Sequence, residues 1–504
     1  MHVAPHPESG LADERDRELV SRVHPPTWRN PTPAPRYDLV VRGGGTAGLV
    51  SAMGAAGLGA RVALVERHLL GGDCLNTGCV PSKAVIRSAR AAGEVRRAAA
   101  LGVMPAGVHV DFGAVMRRMR ERRATIAVND SAERLRAAGV DVFFGEGAFA
   151  DDRTVVVERH RLRFRRAVIA TGGRPTAPPV PGLGAVPFLT NETIFSLTDR
   201  PRRLLVIGAG PIGCELAQAF ARLGSRVAVF DRAPQALPRE DADAAALVRR
   251  SLEADGVRFE LGVTLESVDA SDGALRVHYT RGGDSDTVAG DAILVAAGRA
   301  PNIEGLHLQA AGIRATPRGV HVNDRLRTSN PRVYASGDVC SAYQFTHAAD
   351  ATSRLVIQNA LFFGRRRAST LVIPWVTYTD PEVAHVGVAE ADVARSEGRL
   401  QTITVPLSDV DRAVVDDETD GFVRVHHERG RLRGCTIVAS HAGEMIGEPV
   451  YAMTHGGTLG ALAATIHPYP TQAEALRKAA DVYRRQSLTP RVRRWLERYF
   501  AWTR

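Results

Sequence analysis

Lysine is almost missing from this chain. Of 65 basic residues in 504, only Lys83 and Lys478 are lysines, and arginine supplies the rest. Where arginine serves nearly everywhere, a retained lysine marks a position suited to a compact ammonium rather than a planar fork. Cysteine is scarce too: Cys74, Cys79, Cys214, Cys340 and Cys435 are too few and too scattered for a disulfide framework, and only the first two are close in sequence. The other three read as small buried apolar residues. No apolar run approaches a membrane span, and the opening segment MHVAPHPESGLADERDRELV lacks the apolar centre of a signal peptide, so a soluble, cytoplasmic protein is expected. The formal charge of +10 comes from arginines spread along the chain. With no recognisable nucleic-acid module, no nucleic-acid partner is expected.

What is present reads as several domains, since 504 residues at 44% hydrophobic can fill about three proper cores. Residues 1–36 carry seven prolines and read as a flexible arm with one short helix around 12–23. At Tyr37 the character changes. YDLVVRGGGTAGLVSAMGAAGLGARVALVER reads as strand, glycine turn, helix and second strand, with Gly43, Gly45 and Gly48 in G-x-G-x-x-G spacing and Glu66 23 residues after the first glycine. Such glycines let the backbone approach a pyrophosphate at a helix N-terminus, while the acid accepts from a ribose hydroxyl. The unit recurs as RRLLVIGAGPIGCELAQAFARLGSRVAVFDR, with Gly208, Gly210, Gly213 and Asp231 at the same spacing. Two such folds imply two dinucleotides.

Two apolar strands run into glycine, RRAVIATGGRP with Thr171 and Gly172, and DAILVAAGRAPN. They read as returns of the chain to the first domain, so the second dinucleotide unit is inserted. RVYASGDVCS ends a strand in Ser336-Gly337-Asp338, where a carboxylate can accept from ribityl or ribose hydroxyls and an ordinary turn Asp is the bland alternative. Beyond Leu371 the pattern alternates as in an α+β domain.

GGDCLNTGCVPSK places Cys74 and Cys79 with four residues between them, and Pro81 falls in the first turn of an expected helix running to Arg97. A thiolate at Cys79 is then favoured by the helix N-terminus. A stapling disulfide over so short a loop offers only about 2 kcal/mol, so redox function is the preferred reading.

With CxxxxC directly after the first dinucleotide unit, the inserted second unit, the two glycine-ended strands and the Ser-Gly-Asp, residues 37–483 resemble the FAD-dependent pyridine nucleotide–disulfide oxidoreductases. That family includes mercuric reductase, dihydrolipoamide dehydrogenase and glutathione reductase. The resemblance implies an α/β fold with two Rossmann-like domains and a C-terminal α+β dimerisation domain. It divides the chain into the arm 1–36, an FAD-binding domain over 37–185 and 301–370, an NAD(P)-binding domain over 186–300, a dimerisation domain over 371–485 and a basic amphipathic tail over 486–504. It implies a homodimer whose C-terminal domain contributes to the partner's site. Cys74 resembles the interchange thiol and Cys79 the thiol facing the flavin. Lys83 and Glu215 are similar to an ion pair beside the flavin, and Glu66 and Asp338 to its ribose and ribityl contacts.

In the disulfide reductases of the family a catalytic His precedes Pro-Thr, with a Glu five residues after it. Here HPYPTQAE puts Tyr469 in that slot, Glu474 five residues on and His467 two before, which resembles the mercuric-reductase branch. The vicinal cysteine pair of mercuric reductases has no counterpart after Cys435. A phenol of pKa about 10 is a poor proton shuttle for a leaving thiolate at neutral pH. A metal-ion or small-molecule electron acceptor is therefore expected. The alternatives are disulfide or dihydrolipoamide chemistry using His467, and a flavin-bound redox sensor or membrane-surface electron carrier. Asp231 favours NADH over NADPH, while Arg232 beside it keeps NADPH open. The tail sets Val492, Trp495, Leu496, Tyr499 and Phe500 on one helical face; packing on its own dimer is preferred over peripheral membrane contact.

Overall fold

The computed structural model describes residues 13–486 and 488–504. The chain divides into two compact units. The first holds the residues up to Gly208, Ala219–Arg232 and Val263–Leu371; the second holds Ala209–Gln218, Ala233–Gly262 and Val372–Arg504.

In the first unit the apolar runs of the first motif become a parallel sheet. Its strands lie in the order Val140–Phe144, Val62–Glu66, Tyr37–Arg42, His160–Ile169, with Val333–Ala335 pairing the end of the last. Strand Val62–Glu66 is buried along its whole length, as expected for a parallel sheet covered on both faces. Leu39, Val41, Leu64 and Val142 pack on one side with helix Thr46–Gly57 and helix Thr346–Leu361. Val40, Ala63, Val65 and Phe143 pack on the other against Phe149, Val155 and Phe164 of an antiparallel ribbon. This alternation is the two-residue period of a strand.

The carboxyl ends of these strands collect the residues singled out by the sequence. Gly43 follows one strand, Glu66 ends another, Thr171 follows a third and Ser336-Gly337-Asp338 follows the fourth. Ligands of open parallel sheets bind at that edge.

The repeat seen in the sequence is a repeat of hydrogen bonds. Gly43 N–H donates to Val65 O and Gly208 N–H to Phe230 O, both at 2.8 Å; Ala170 N–H donates to Arg42 O and Ala296 N–H to Ile207 O, again both at 2.8 Å. The second parallel set, Arg226–Asp231, Arg203–Ile207 and Ala292–Val295, is therefore built on the plan of the first. The two glycine-ended strands meet as a short antiparallel pair, Gly173 opposite Pro301 and Arg174 opposite Ala300.

The expected arm differs from a flexible segment over its described part. Residues 1–12 lie outside the described residues. From Asp13, whose carboxylate caps helix Glu14–Val23, the segment packs onto the first unit. Leu19 and Val23 enter the core, and Asp16 is buried against Arg120 and Arg123. Asn30 both donates to and accepts from the backbone of Phe144. Proline content alone misses this, because the prolines lie outside the helix and the order comes from tertiary partners.

In the second unit a five-stranded antiparallel sheet runs Pro374–Thr377, Glu382–Gly387, Arg431–Ala439, Phe422–Glu428, Gln401–Pro406. Val423, Val425, Cys435 and Ile437 pack against helix Glu474–Gln486 through Leu476, Ala479 and Ala480. The tail is helical over Pro490–Thr503 and buries none of its residues. Among the described residues, no helix is long and apolar enough to cross a membrane.

Candidate active site

Each dinucleotide turn has room only for glycine where the chain folds most tightly. Gly43 holds φ +108°, and a Cβ there would stand 2.3 Å from Ala170 O; one on Gly48 would stand 1.7 Å from Gly43 O. Gly208, at φ +113°, meets Ala296 O in the same way. Gly45 then caps helix Thr46–Gly57 without any side-chain acceptor, so its first-turn N–H groups are presented to an anion. Gly210 precedes helix Pro211–Arg222 with open space where a Cβ would be. These cradles fit the pyrophosphates of two dinucleotides.

Glu66 is buried and accepts from Gly44 N–H at 2.5 Å and His68 N–H at 2.7 Å, which holds its carboxylate beside the first turn. Thr171 donates to Asn302 O at 2.6 Å, and Asn302 returns a bond to Thr171 O. Asp338 is pushed up to about 6, first by burial, against the pull of Arg299 3.8 Å away. Arg299 also pairs with Asp73, next in the chain to Cys74. Glu192 is raised as well, by burial and then by the charge of Asp73. Asp73, Arg299 and Glu192 were not among the residues expected from the sequence. The only signal was adjacency, Asp73 to Cys74 and Arg299 to the glycine of AAGRAPN.

Cys74 lies in a short helix, Gly72–Asn76, that the sequence pattern did not reveal, and Cys79 opens helix Cys79–Arg97 after Gly78, which offers no side-chain cap. The two thiols are brought together. Cys74 is raised above the ordinary thiol range, first by its hydrogen bond to Cys79, then by burial and by the charge on Cys79. Cys74 is therefore the partner that keeps its proton, and the helix N-terminus is left to stabilise a thiolate at Cys79. The Cys79 sulfur also lies 3.3 Å from the Thr346 hydroxyl. Of the other cysteines, Cys214 and Cys435 are buried, and burial pushes Cys340, partly buried against the core, up to about 12.

Lys83 lies half-buried on helix Cys79–Arg97 in the first unit. Glu215 is buried in the second, where it accepts from Tyr378 N–H at 2.9 Å.

Around Tyr469 the expected partners separate. Its hydroxyl donates to Asp411 Oδ2 at 3.1 Å, and that bond is the main reason its pKa is raised. Glu474 adds to the rise through its charge, while its own Oε1 pairs with Arg477. The other oxygen of Glu474 is buried with no hydrogen-bond partner among the described residues. His467 has both ring nitrogens occupied: Nε2 against Glu448 at 3.0 Å and Nδ1 against Thr465 O at 3.2 Å.

Two glycine cradles, a paired CxxxxC and a separate sandwich of sheet and helices agree with the family comparison. Residues 37–353 match the model for the pyridine nucleotide-disulphide oxidoreductases, and residues 373–480 match that family's dimerisation domain. The chain belongs to this family. As a pyridine nucleotide-disulphide oxidoreductase it has relatives of near full length. A mercuric reductase of Staphylococcus aureus is 33% identical over 447 residues, covering 88% of this chain and 82% of the relative. A dihydrolipoyl dehydrogenase of Thermus scotoductus is 33% identical over 464 residues, covering 90% and 98%. Among solved structures, the Cu(II) complex of the HOCl-induced flavoprotein disulfide reductase RclA from Escherichia coli superimposes with a TM-score of 0.79 at 27% identity. It covers 89% of this chain and 100% of that one. The fold of this oxidoreductase is accordingly two Rossmann-like domains and a dimerisation domain. The family is FAD-dependent with NAD(P)H as the electron donor, and the matched dimerisation domain supports a homodimer.

Proposed function

We propose that this oxidoreductase uses NADH to reduce a thiophilic metal ion held at Cys74. The observation that carries the reading is the engagement of both acid–base candidates: the Tyr469 phenol is hydrogen-bonded to Asp411, and both nitrogens of His467 are taken up by Glu448 and Thr465. Releasing a thiolate from an organic disulfide calls for a general acid near neutral pH. Transfer to a soft metal needs no such proton, and thiolates select such ions. The names of the relatives fit: several are mercuric reductases, and the RclA structure is a Cu(II) complex.

The chain's own residues divide the work. Gly43, Gly45 and Gly48, with Glu66, Thr171, Gly172 and Asp338, would hold FAD at the carboxyl edge of the first sheet. Gly208, Gly210, Gly213 and Asp231 would hold the nicotinamide dinucleotide. Bound FAD supplies the passage from hydride to electron pair. Cys74 and Cys79 take up that pair as their S–S bond breaks, giving a thiol at Cys74 and a thiolate at Cys79. Cys74 loses its proton on ligating the metal. Two electrons then leave to one Hg(II) or two Cu(II) as the S–S bond re-forms. Lys83 and Glu215 are assigned to the flavin's environment, and Tyr469 and Glu474 to the acceptor side of the partner subunit.

The test is anaerobic NADH oxidation by the FAD-loaded dimer with Hg(II), Cu(II), lipoamide and glutathione disulfide. Metal-dependent turnover lost in Cys74→Ser and depressed in Tyr469→Phe is expected, with Tyr469→His gaining disulfide reduction. Vigorous lipoamide turnover, lost in His467→Ala and unchanged in Tyr469→Phe, would overturn the proposal in favour of the dihydrolipoyl reading that the Thermus relative represents.

A further inference from the structure

A cavity of about 240 Å³ in the first unit is lined by Arg166, Arg325, Arg327 and Arg365, and among the described residues no carboxylate lines it. Tyr334, Asn359 and Phe363 also line it, around the carboxyl end of helix Thr346–Leu361.

The helix explains only part of this charge. Arg166 Nε donates to Ala360 O and the Tyr334 hydroxyl to Asn359 O, both at 3.2 Å, so two of the last carbonyls are satisfied. The negative end of a helix amounts to roughly half an elementary charge, against four guanidiniums. Among the described residues, Arg325, Arg327 and Arg365 form no ion pair within 4 Å; Asp324, paired with Arg367, is the carboxylate that feels the charge of Arg325. Arg166 is held below the ordinary guanidinium range, first by burial and then by Arg165, Arg332 and Arg327.

The crowding is built rather than incidental. Asn359 is buried, and its amide donates to Arg325 O and Arg366 O while accepting from Arg366 N–H at 3.0 Å. One side chain thereby fixes the spacing of two arginine-bearing loops. Next to it Phe363 is held at φ +56°, a conformation that bulky residues rarely adopt, with 82% of its surface exposed at the rim. Gly364 secures that turn: its N–H donates to Gln358 O at 3.0 Å, and a Cβ there would meet the same carbonyl at 2.7 Å.

We propose that this cavity binds the diphosphate group of a small anionic ligand. Guanidinium forks match pairs of phosphate oxygens, and four of them exceed what one phosphate of roughly two charges requires. The volume falls below the roughly 300–1,000 Å³ of pockets that enclose a whole ligand, so the cavity takes the headgroup and leaves Phe363 beside whatever it carries. The site is separate from the redox pair. Thr346, which touches Cys79, begins the same helix, roughly 23 Å away at about 1.5 Å per residue.

Isothermal titration of the FAD-loaded protein with inorganic pyrophosphate, and separately with ADP, tests this. Saturable pyrophosphate binding is expected, weakened at least about tenfold in Arg325→Ala/Arg327→Ala and again in Arg365→Ala. Arg117→Ala/Arg122→Ala, which removes the same charge from the exposed face of helix Phe112–Ile126, should leave it unchanged. Pyrophosphate resting at the nicotinamide motif would not respond to the first variants, so an unchanged affinity there overturns the proposal. Equal weakening in the Arg117/Arg122 pair overturns it too, by reducing the effect to bulk charge. For the ADP binding that Arg325→Ala/Arg327→Ala removes, its loss without loss of pyrophosphate binding in Phe363→Ala identifies a nucleotide as the source of the diphosphate; retention of both identifies free diphosphate.

Discussion

The Thr346 hydroxyl stands 3.3 Å from the Cys79 sulfur, a contact between the first residue of one helix and the first residue of another. A thiolate at Cys79 can accept from that hydroxyl, as it does from the Cys74 thiol. A hydrogen bond to a charged group contributes about 1.5–3 kcal/mol, or about one to two pH units. In the reduced Cys74→Ser protein, Thr346→Val should raise the pKa of Cys79 by that amount, read from the pH dependence of its alkylation by mass spectrometry. The same hydroxyl lowers the pKa of Cys74. Cys79→Ser should move the other thiol in the opposite sense to Thr346→Val, lowering Cys74 from its raised position because the neighbouring charge is gone. Profiles that do not move in either variant would separate the two sulfurs electrostatically.

The proposed preference for NADH rests on Asp231, which ends the second motif's strand as Glu66 ends the first. A carboxylate there accepts from a free 2′-hydroxyl and repels a 2′-phosphate. Asp231→Ser should improve NADPH use relative to NADH by about 1–3 kcal/mol in kcat/KM. Should the unmodified enzyme already use NADPH as well as NADH, Arg232 outweighs its neighbour.

Asp16 offers a test of the amino-terminal segment. It is 7% exposed and faces Arg120 at 3.4 Å, with Arg123 also paired to it; Arg120 is itself 3% exposed. Removing one partner of a buried pair leaves uncompensated charge and costs about 3–5 kcal/mol. Asp16→Ala should lower the urea midpoint of the first unit accordingly. A midpoint within error of the parent would mean that the Asp16 ion pair adds nothing to that unit's stability.

The glycine turns and the paired cysteines were legible because each is local. Gly43 and Gly48 exclude a Cβ within a few residues of themselves or at the adjoining strand end, and that demand is written as spacing. Thr346 was not legible beside Cys79, nor Arg299 beside Asp73, since 267 and 226 residues separate them and neither sits in a repeated pattern. The short helix expected near 12–23 is there as Glu14–Val23, but composition missed the packing of residues 13–36 for the same reason. Asn30 is an ordinary turn residue until Phe144, 114 positions on, gives its amide two backbone partners. Tyr469 was placed by its motif, but its partner Asp411 comes from a helix 58 residues earlier that shares no motif with it.

Asp338, proposed to hold FAD, carries a cost in stability. Its carboxyl is raised to about 6 from an ordinary 3.8, chiefly by burial. A group raised in the folded state binds its proton more tightly there than in the unfolded chain. Its unfavourable contribution is therefore absent below about pH 4, grows as pH rises toward about 6 and is complete above it. A shift of this size corresponds to about 3 kcal/mol. In flavin-free protein, Asp338→Asn should raise the unfolding free energy at pH 7 by up to that amount and change it little at pH 4. The same substitution should weaken FAD retention, read as flavin released into the filtrate on dilution, because an amide presents one acceptor oxygen where the carboxylate presents two. Stabilisation that is equal at both pH values would show that the buried charge is not its source, and undiminished FAD retention would remove Asp338 from the flavin site.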